Sequence, residues 1–173
     1  MDLRLNGHGL VLRRWREDDL PTMVELFDDP DIAYRTPLAS PFDLAAARAY
    51  LDKAHRLYVE GQRIQLAITE EGDDRPLGEV LFNRAGRTIG YGIGAAHRRR
   101  RLAVRAVQVL TDYAHRRLGL PHVYLEIEPD NDPSKGVARA AGYRPTGRSP
   151  QPVTDKGRVY TLETWVHDAP AAP

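Results

Sequence analysis

The repeat of apolar residues between positions 102 and 118 predicts the longest helix in the C-terminal half of the chain. Its apolar positions, three or four residues apart, are Leu102, Ala103, Ala106, Val107, Leu110, Tyr113, Ala114 and Leu118. This spacing places them on one helix face. Residues 88–94 before it alternate as a strand does, and four consecutive arginines, residues 98–101, separate the two. The stretch therefore predicts a strand, a basic loop and a helix in succession.

The same periodicities predict the remaining elements. Helices are expected at 16–27, 43–61 and 133–141, and strands at 10–12, 62–70, 77–83, 122–128 and 158–166, with one more strand beginning at Tyr143. Residues 31–41 contain Pro37 and Pro41, and residues 147–157 are rich in proline, serine and glycine, so both segments are predicted to be loops. Because antiparallel hairpins come first and a strand–helix–strand crossover follows, we expect a mixed α/β (α+β) fold in a single domain.

Composition narrows the class of protein. The 173 residues are 42% apolar and 28% charged, and their formal net charge of +1 excludes a globally basic nucleic-acid binder. The absence of cysteine excludes disulfides and cysteine-ligated metals, and the histidines show no metal-ligand spacing. No apolar run approaches the ~18 residues of a membrane span, and the first residues lack a signal pattern. We therefore expect a cytoplasmic protein without a metal or a membrane partner.

The arginine run lies at a predicted helix N-terminus. Unpaired backbone N–H groups and the positive end of the helix dipole favour an anion there, and a phosphate is the usual ligand. Arginine at this position is unfavourable unless an anion is bound. The other interpretation is a solvated basic loop, since most charge runs are solvated.

Short motifs along the chain resemble a known family. They are Gly90-Tyr91, the basic loop with its long helix, Gly119-Leu120, Glu126-Ile127-Glu128-Pro129-Asp130-Asn131, Ser134, Val137-Ala138 and Ala141-Gly142-Tyr143, with Leu12-Arg13-Arg14-Trp15, Glu17-Asp18-Asp19 and Asp29-Pro30 near the N-terminus. Together they resemble the GCN5-related N-acetyltransferases (the GNAT superfamily), and within it the Rim-type branch that acetylates ribosomal-protein N-termini.

The resemblance implies a GNAT domain, which we place over residues 1–167. The alanine and proline residues of 168–173 predict a disordered tail. It implies a mixed, mostly antiparallel, splayed sheet of six or seven strands flanked by about four helices. Acetyl-CoA, or another acyl-CoA, is then expected between the strands that end near Gly94 and Glu128, with the acceptor amine entering from the other side.

The arginine loop departs from the family pattern of Arg or Gln, two variable residues, Gly, one variable residue, and Gly or Ala. Arg98 and Ala103 match, but Arg101 replaces the central glycine and Arg99 replaces another that is frequent in this branch. Either these side chains turn outward and contact a phosphate, or they fill the pyrophosphate site. The residues expected to contact the donor are Ile93, Gly94, Arg98, Arg99, Arg100, Arg101, Leu102, Ala103, Asn131 and Ser134.

Two functions stay open at this point. One is an acyl-CoA-dependent N-acyltransferase that acetylates the primary amine of a small molecule or of a peptide or protein N-terminus. The other is a GNAT-fold protein that has lost this chemistry and serves as a binding module, or that uses another donor. Aromatic residues are not interleaved with the arginines, so a nucleic-acid partner is not expected. Both a monomer and a homodimer are compatible with the sequence.

Amine acetylation requires a base, an oxyanion donor and a proton for the leaving thiolate. The resemblance implies a backbone N–H of Ile93 or Gly94 as the oxyanion donor and Ser134 as the thiolate acid, although Ser134 also fits a helix cap. The candidate bases are Glu79, Glu126 and Glu128, and a water-mediated base is equally compatible. Tyr34 and Arg35 lie in the segment expected to face the acceptor, where Arg35 either binds an acceptor carboxylate or lies on the surface.

Overall fold

The computed structural model describes residues 3–171, and its secondary structure follows the predicted order with three additions. The helices are α1 (Leu20–Phe27), α2 (Pro30–Arg35), α3 (Leu44–Val59), α4 (Leu102–Arg116) and α5 (Asp132–Ala140). The strands are β1 (Arg4–Gly7), β2 (Leu10–Arg14), β3 (Arg63–Glu70), β4 (Asp73–Asn83), β5 (Thr88–Ile93), β6 (His122–Ile127), β7 (Arg144–Pro145), β8 (Gln151–Asp155) and β9 (Arg158–Asp168). Short 3₁₀ turns occupy Glu17–Asp19 and Ala95–His97.

All nine strands within residues 3–171 belong to one connected arrangement. Their order is β1-β2-β3-β4-β5-β6-β9-β7, with β8 paired to β9. The β5–β6 pair is parallel and every other pair is antiparallel. The predicted mixed, mostly antiparallel fold is confirmed, with more strands than the six or seven expected.

Two helical layers cover this sheet. Helix α4 covers one face, and its buried residues pack with side chains from β2, β3, β4 and β6 in one core cluster. Helices α1 and α3 pack on the other face around Phe27 and Phe42. The stripe predicted for α4 is largely correct, but Val104, Val109 and Thr111 are buried as well. The buried face is wider than the stripe because α4 also contacts β1, where Gly7 lies against Val109.

Three additions correct the sequence analysis. Helix α2 lies in the predicted loop 31–41, where the Asp29 side chain accepts from the N–H groups of Asp31 and Ile32 at 2.9 and 3.0 Å and Pro30 occupies the first turn. Strand β8 lies in the predicted loop 147–157 and pairs with β9. Strand β1 forms a further hairpin with β2. Each addition is a short element held by neighbours, which local periodicity does not show.

The C-terminal strand is longer than predicted. Strand β9 includes Asp168, the first residue of the predicted tail, and Ala169 donates its N–H to the Pro121 carbonyl at 2.8 Å. The part of that prediction concerning residues 172 and 173 lies outside the described residues. No helix between residues 3 and 171 is long and apolar enough to cross a membrane.

Candidate acyl-CoA and acceptor site

Strands β5 and β6 separate after a short parallel contact. Their register contains Thr88–Tyr124 and Ile89–Leu125 and ends there, although β5 continues to Ile93 and β6 to Ile127. We call the space between residues 90–93 and 126–127 the β5–β6 cleft. A strand edge without a neighbour leaves backbone donors and acceptors open.

The backbone N–H groups of Tyr91 and Ile93 face this cleft. Gly94 donates its N–H to Leu77 of β4 at 3.0 Å, and bonded and non-bonded pairs alternate along an antiparallel ladder. The register pairs Gly92 with Glu79 and Ile93 with Gly78, so the Gly92 N–H points to β4 and those of Tyr91 and Ile93 point away from it. The N–H of Gly94 is therefore occupied within the sheet, whereas the N–H groups of Ile93 and of Tyr91, which the sequence analysis did not name as a donor, are open to the cleft.

The arginine loop keeps a glycine-like backbone at its two substituted positions. Arg99 and Arg101 have φ angles of 63° and 57°, in the left-handed region that glycine adopts without strain. Arg101 is the N-cap of α4, and its side chain makes no capping hydrogen bond. The first backbone N–H groups of α4 are thus open to a ligand.

The four arginines divide into two pairs. Arg98 contacts the Ile93 carbonyl at 3.3 Å and the carboxylates of Asp31 and Asp29 at 3.4 and 3.5 Å, and Arg100 pairs with Glu70 at 2.6 Å. Arg99 and Arg101 are exposed and have no side-chain partner among the described residues. An uncapped helix N-terminus beside two unpaired guanidinium groups fits a phosphate.

Ser134 is not the cap of its helix. The cap of α5 is Asn131, whose side-chain oxygen accepts the Ser134 N–H at 3.2 Å. The Ser134 hydroxyl instead accepts a hydrogen bond from the Tyr91 phenol at 2.9 Å. This contact joins β5 to α5, the helix that follows β6.

Glu79 is buried below the face covered by α1 and α3. Its oxygens accept hydrogen bonds from Trp15 at 2.7 Å and Tyr50 at 2.5 Å. Burial raises the pKa of Glu79 to about 7, against the hydrogen bonds that lower it. A carboxylate enclosed in this way is a poor candidate for direct contact with an acceptor.

Glu128 is the centre of an ion-pair cluster. Arg158 contacts both of its oxygens at 2.8 Å, and Arg35 contacts one at 2.9 Å. The hydrogen bonds from Arg158, with the positive charge of Arg35, hold the pKa of Glu128 below its ordinary value. Such a carboxylate is a weak base. Glu126, two residues earlier and within β6, is exposed and has no side-chain partner within residues 3–171.

Tyr34 and Arg35 are brought to the hairpin of β8 and β9. The Arg158 guanidinium lies 4.1 Å from the ring centre of Tyr34 and 4.0 Å from that of Tyr160, and it donates to the Tyr34 carbonyl at 2.8 Å. We call Arg35, Glu128 and Arg158, with Tyr34 and Tyr160, the arginine clamp. Sequence analysis missed Arg158 and Tyr160, because they lie more than 120 residues from Tyr34 along the chain.

Comparison with known proteins decides the family. Residues 9–144 match the acetyltransferase (GNAT) domain model. The chain belongs to the GNAT acetyltransferase family. It is 28% identical over 155 residues to an uncharacterized N-acetyltransferase, p20, of Bacillus licheniformis, with 87% of each chain covered.

Solved GNAT structures share this fold at low sequence identity. The ribosomal-protein-S5-alanine acetyltransferase of Vibrio fischeri is 16% identical with a TM-score of 0.80, covering 98% of both chains. The microcin C7 self-immunity acetyltransferase MccE, in complex with acetyl-CoA and AMP, is 16% identical with a TM-score of 0.78, covering 94% of this chain and 93% of its own. The predicted resemblance to GNAT enzymes, with Rim-type proteins among the structural neighbours, is confirmed. GNAT enzymes use acetyl-CoA as donor.

Proposed function

We propose that this GNAT protein is an acyl-CoA-dependent N-acyltransferase that transfers acetyl from acetyl-CoA to a primary amine of a small molecule or of a peptide or protein N-terminus. The observation that carries the proposal is the β5–β6 cleft, where strand pairing stops after Ile89–Leu125. Open backbone donors line the cleft, and the arginine loop and the uncapped N-terminus of α4 follow it directly in the chain.

The cleft fits an extended donor molecule bound along β5. The N–H groups of Tyr91 and Ile93 are free to bind carbonyl oxygens in place of a neighbouring strand. The backbone of residues 98–103 and the unpaired side chains of Arg99 and Arg101 supply donors and positive charge for the phosphates. Arg99 and Arg101 keep the left-handed backbone that glycine would adopt. This favours a loop that still binds the donor over one whose arginine side chains fill the pyrophosphate site.

Acetyl-CoA supplies the acetyl group as a thioester, which an uncharged amine attacks directly. An N–H of Tyr91 or Ile93 donates to the acyl oxygen as negative charge develops on it. The Ser134 hydroxyl donates toward the sulfur, and Asn131 fixes the helix turn that carries it. The N–H groups of Tyr91 and Ile93 and the O–H of Ser134 are available for these roles, because none of them donates to another described residue.

Glu126 is the carboxylate we assign as the base. It is exposed on β6 next to the end of the parallel contact, so an acceptor ammonium or an intervening water can reach it. Glu79 has both oxygens hydrogen-bonded and Glu128 is held as an ion pair, so we assign them structural roles. Glu79 links β4, the strand next to β5, to Trp15 and to Tyr50 of α3.

The acceptor is proposed to enter beside the arginine clamp. Tyr34 is 52% exposed and is available to a ligand, whereas Arg35 is occupied by Glu128 and Asp130 at 2.9 and 2.8 Å. Tyr34 is therefore the contact residue of the pair, and Arg35 shapes the wall behind it.

The test is thermal unfolding with CoA and acetyl-CoA, followed by acetylation assays with peptide N-termini and small amines. A ligand at ~100 times its dissociation constant adds ~2.7 kcal/mol, which is a shift of several degrees in this size range. Saturable shifts with both ligands, and amine-dependent release of CoA, are expected.

No shift with either ligand would contradict the proposal and favour a binding module. A shift without amine-dependent CoA release from any acceptor would point to another acyl donor. Both alternatives would mean that arginine in place of glycine at positions 99 and 101 has changed what the loop binds.

A further inference from the structure

The Tyr91–Ser134 hydrogen bond joins the two walls of the proposed donor site. Tyr91 extends from β5, Ser134 lies in the first turn of α5, and their oxygens are 2.9 Å apart. The strands themselves no longer pair at this level. This hydrogen bond therefore lies where the proposed function places acetyl-CoA, and its two hydroxyl groups are close enough to the donor to influence it.

In this contact the Tyr91 phenol donates and the Ser134 hydroxyl accepts. The Ser134 backbone N–H donates to the side-chain oxygen of Asn131. The Ser134 hydroxyl has no partner besides Tyr91 among residues 3–171. A serine hydroxyl has one O–H donor and two lone pairs. When Tyr91 donates into one lone pair, the O–H of Ser134 stays free to donate to a third group.

Burial keeps Tyr91 in its donor form. Its ring packs against the core beneath α4, and burial raises the pKa of its phenol above the ordinary value of 10.0, against the hydrogen bond to Ser134 that lowers it. The phenol is therefore protonated throughout the neutral range and keeps the O–H that it donates to Ser134.

We propose that Tyr91 is a positioning residue that acts through Ser134, holding the serine hydroxyl so that its O–H is directed to the sulfur of the donor. This inference rests on the proposed function, because it takes the sulfur to lie beside Ser134. The phenol restricts the rotation of the hydroxyl and polarises it, so Ser134 is a better donor to a developing thiolate than a free serine.

The experiment measures the pKa of the CoA thiol in its complex with the protein, from the ultraviolet absorbance of the thiolate across pH. This readout needs no acceptor and no turnover. A hydrogen bond to the thiolate lowers its pKa, so Ser134→Ala is expected to raise the pKa of bound CoA by about one unit. Tyr91→Phe is expected to raise it by a similar amount, and the double variant by no more than Ser134→Ala alone.

Tyr143→Phe is the matched control. Tyr143 is also buried and also bonds a hydroxyl, that of Thr111 at 2.6 Å, but its partner lies on α4 and not on a wall of the cleft. Its removal is expected to leave the pKa of bound CoA unchanged. Incorporation of 3-fluorotyrosine at position 91 strengthens the donor without removing it and is expected to lower the pKa of the thiol. It also replaces Tyr91→Phe if that variant does not fold.

Steady-state kinetics provide the second readout. Tyr91→Phe is expected to lower kcat about tenfold with the KM for acetyl-CoA unchanged, and to have no effect in a Ser134→Ala background. Equal losses in both backgrounds, or an unchanged thiol pKa in Tyr91→Phe, would overturn the inference. If CoA does not bind the wild-type protein at all, the proposed function has failed instead, and the two failures are distinguished.

Discussion

At the residue scale, the arginine loop contains two arginines, Arg99 and Arg101, with a left-handed backbone. A non-glycine residue in this region costs about 1 kcal/mol, and Arg99 and Arg101 both adopt it. Their side chains have no partner among the described residues that would offset this cost. A phosphate ligand offers such a compensation, because charge-assisted hydrogen bonds to it are strong.

The variant Arg101→Gly should therefore change stability and CoA affinity in opposite directions. Glycine relieves the left-handed backbone, so the free energy of unfolding should rise by up to about 1 kcal/mol. Loss of the guanidinium should weaken CoA binding about tenfold, as for one charged hydrogen bond. Urea unfolding and calorimetric titration measure the two. Arg101→Ala should lose affinity without the gain in stability, and tighter CoA binding by Arg101→Gly would show that the arginine obstructs the site.

A second residue-scale effect concerns the buried carboxylate of Glu79. Burial raises its pKa from 4.5 to about 7 in the folded protein, so the folded state holds a proton that the unfolded chain releases from about pH 4.5 upward. The contribution is complete below pH 4.5 and is lost as the pH rises to about 7. At about 1.4 kcal/mol for each unit of pKa difference, the loss is about 3 kcal/mol.

Replacement of Glu79 by glutamine should remove this pH dependence. Relative to Glu79→Gln, the wild-type protein should lose about 3 kcal/mol of unfolding free energy between pH 4.5 and 7.5, measured by urea unfolding at several pH values. Glu71→Gln, in an exposed turn, should run parallel to the wild type. A wild-type curve parallel to that of Glu79→Gln would mean that Glu79 stays ionised when buried.

At the scale of elements, β5 has two functionally different edges. Its Gly92 N–H bonds to β4, as the alternation of the ladder requires, and its Tyr91 and Ile93 N–H groups face the cleft. Pairing with β4 and the open edge at the cleft thus use alternate residues of a single strand. This alternation provides an internal control at one-residue resolution.

Amide hydrogen exchange followed by NMR should show this alternation directly. In the free protein, the amides of Tyr91 and Ile93 should exchange faster than that of Gly92, which is protected by β4. Saturating CoA should slow exchange at Tyr91 and Ile93 by at least about tenfold and change Gly92 little. Equal slowing at all three positions would indicate general stabilisation of the sheet rather than bonding along β5.

At the scale of the whole molecule, only a short strand pairing joins the two halves of the sheet within residues 3–171. Strands β5 and β6 pair over two residue pairs, and the arginine clamp then connects α2 near the N-terminus to the end of β6 and the β8–β9 hairpin. Lys156 reinforces it by donating to the carbonyls of Ala33 and Thr36 at 2.8 and 2.9 Å. Glu128 is the anion common to both clamp arginines.

Substitution Glu128→Gln should loosen the clamp on both sides. The amide cannot accept from Arg35 and Arg158 as the carboxylate does, and the loss should be about 2 kcal/mol because the carboxylate is buried while the arginines are partly exposed. Urea unfolding measures it, and faster amide exchange in α2 and β8 should accompany it. Glu126→Gln, exposed on the same strand, should change stability by less than about 0.5 kcal/mol; a loss of equal size there would argue against a specific clamp.

Much of this molecule was predictable from the chain alone. The helix at α4, the strand before it and the basic loop between them are local, since a period of 3.6 or 2 and a run of arginines are visible in a short window. Asp43, the N-cap of α3, and Gly61, which follows that helix, are signals visible in a short window for the same reason.

The tertiary structure decided which candidate groups are available for chemistry. Three glutamates were equivalent in the sequence, and only folding enclosed Glu79 under Trp15 and Tyr50 and paired Glu128 with Arg35 and Arg158. The Tyr91–Ser134 contact spans 43 residues. Local periodicity determines where helices and strands form, but burial, ion pairing and the open edge of β5 depend on neighbours distant in the chain.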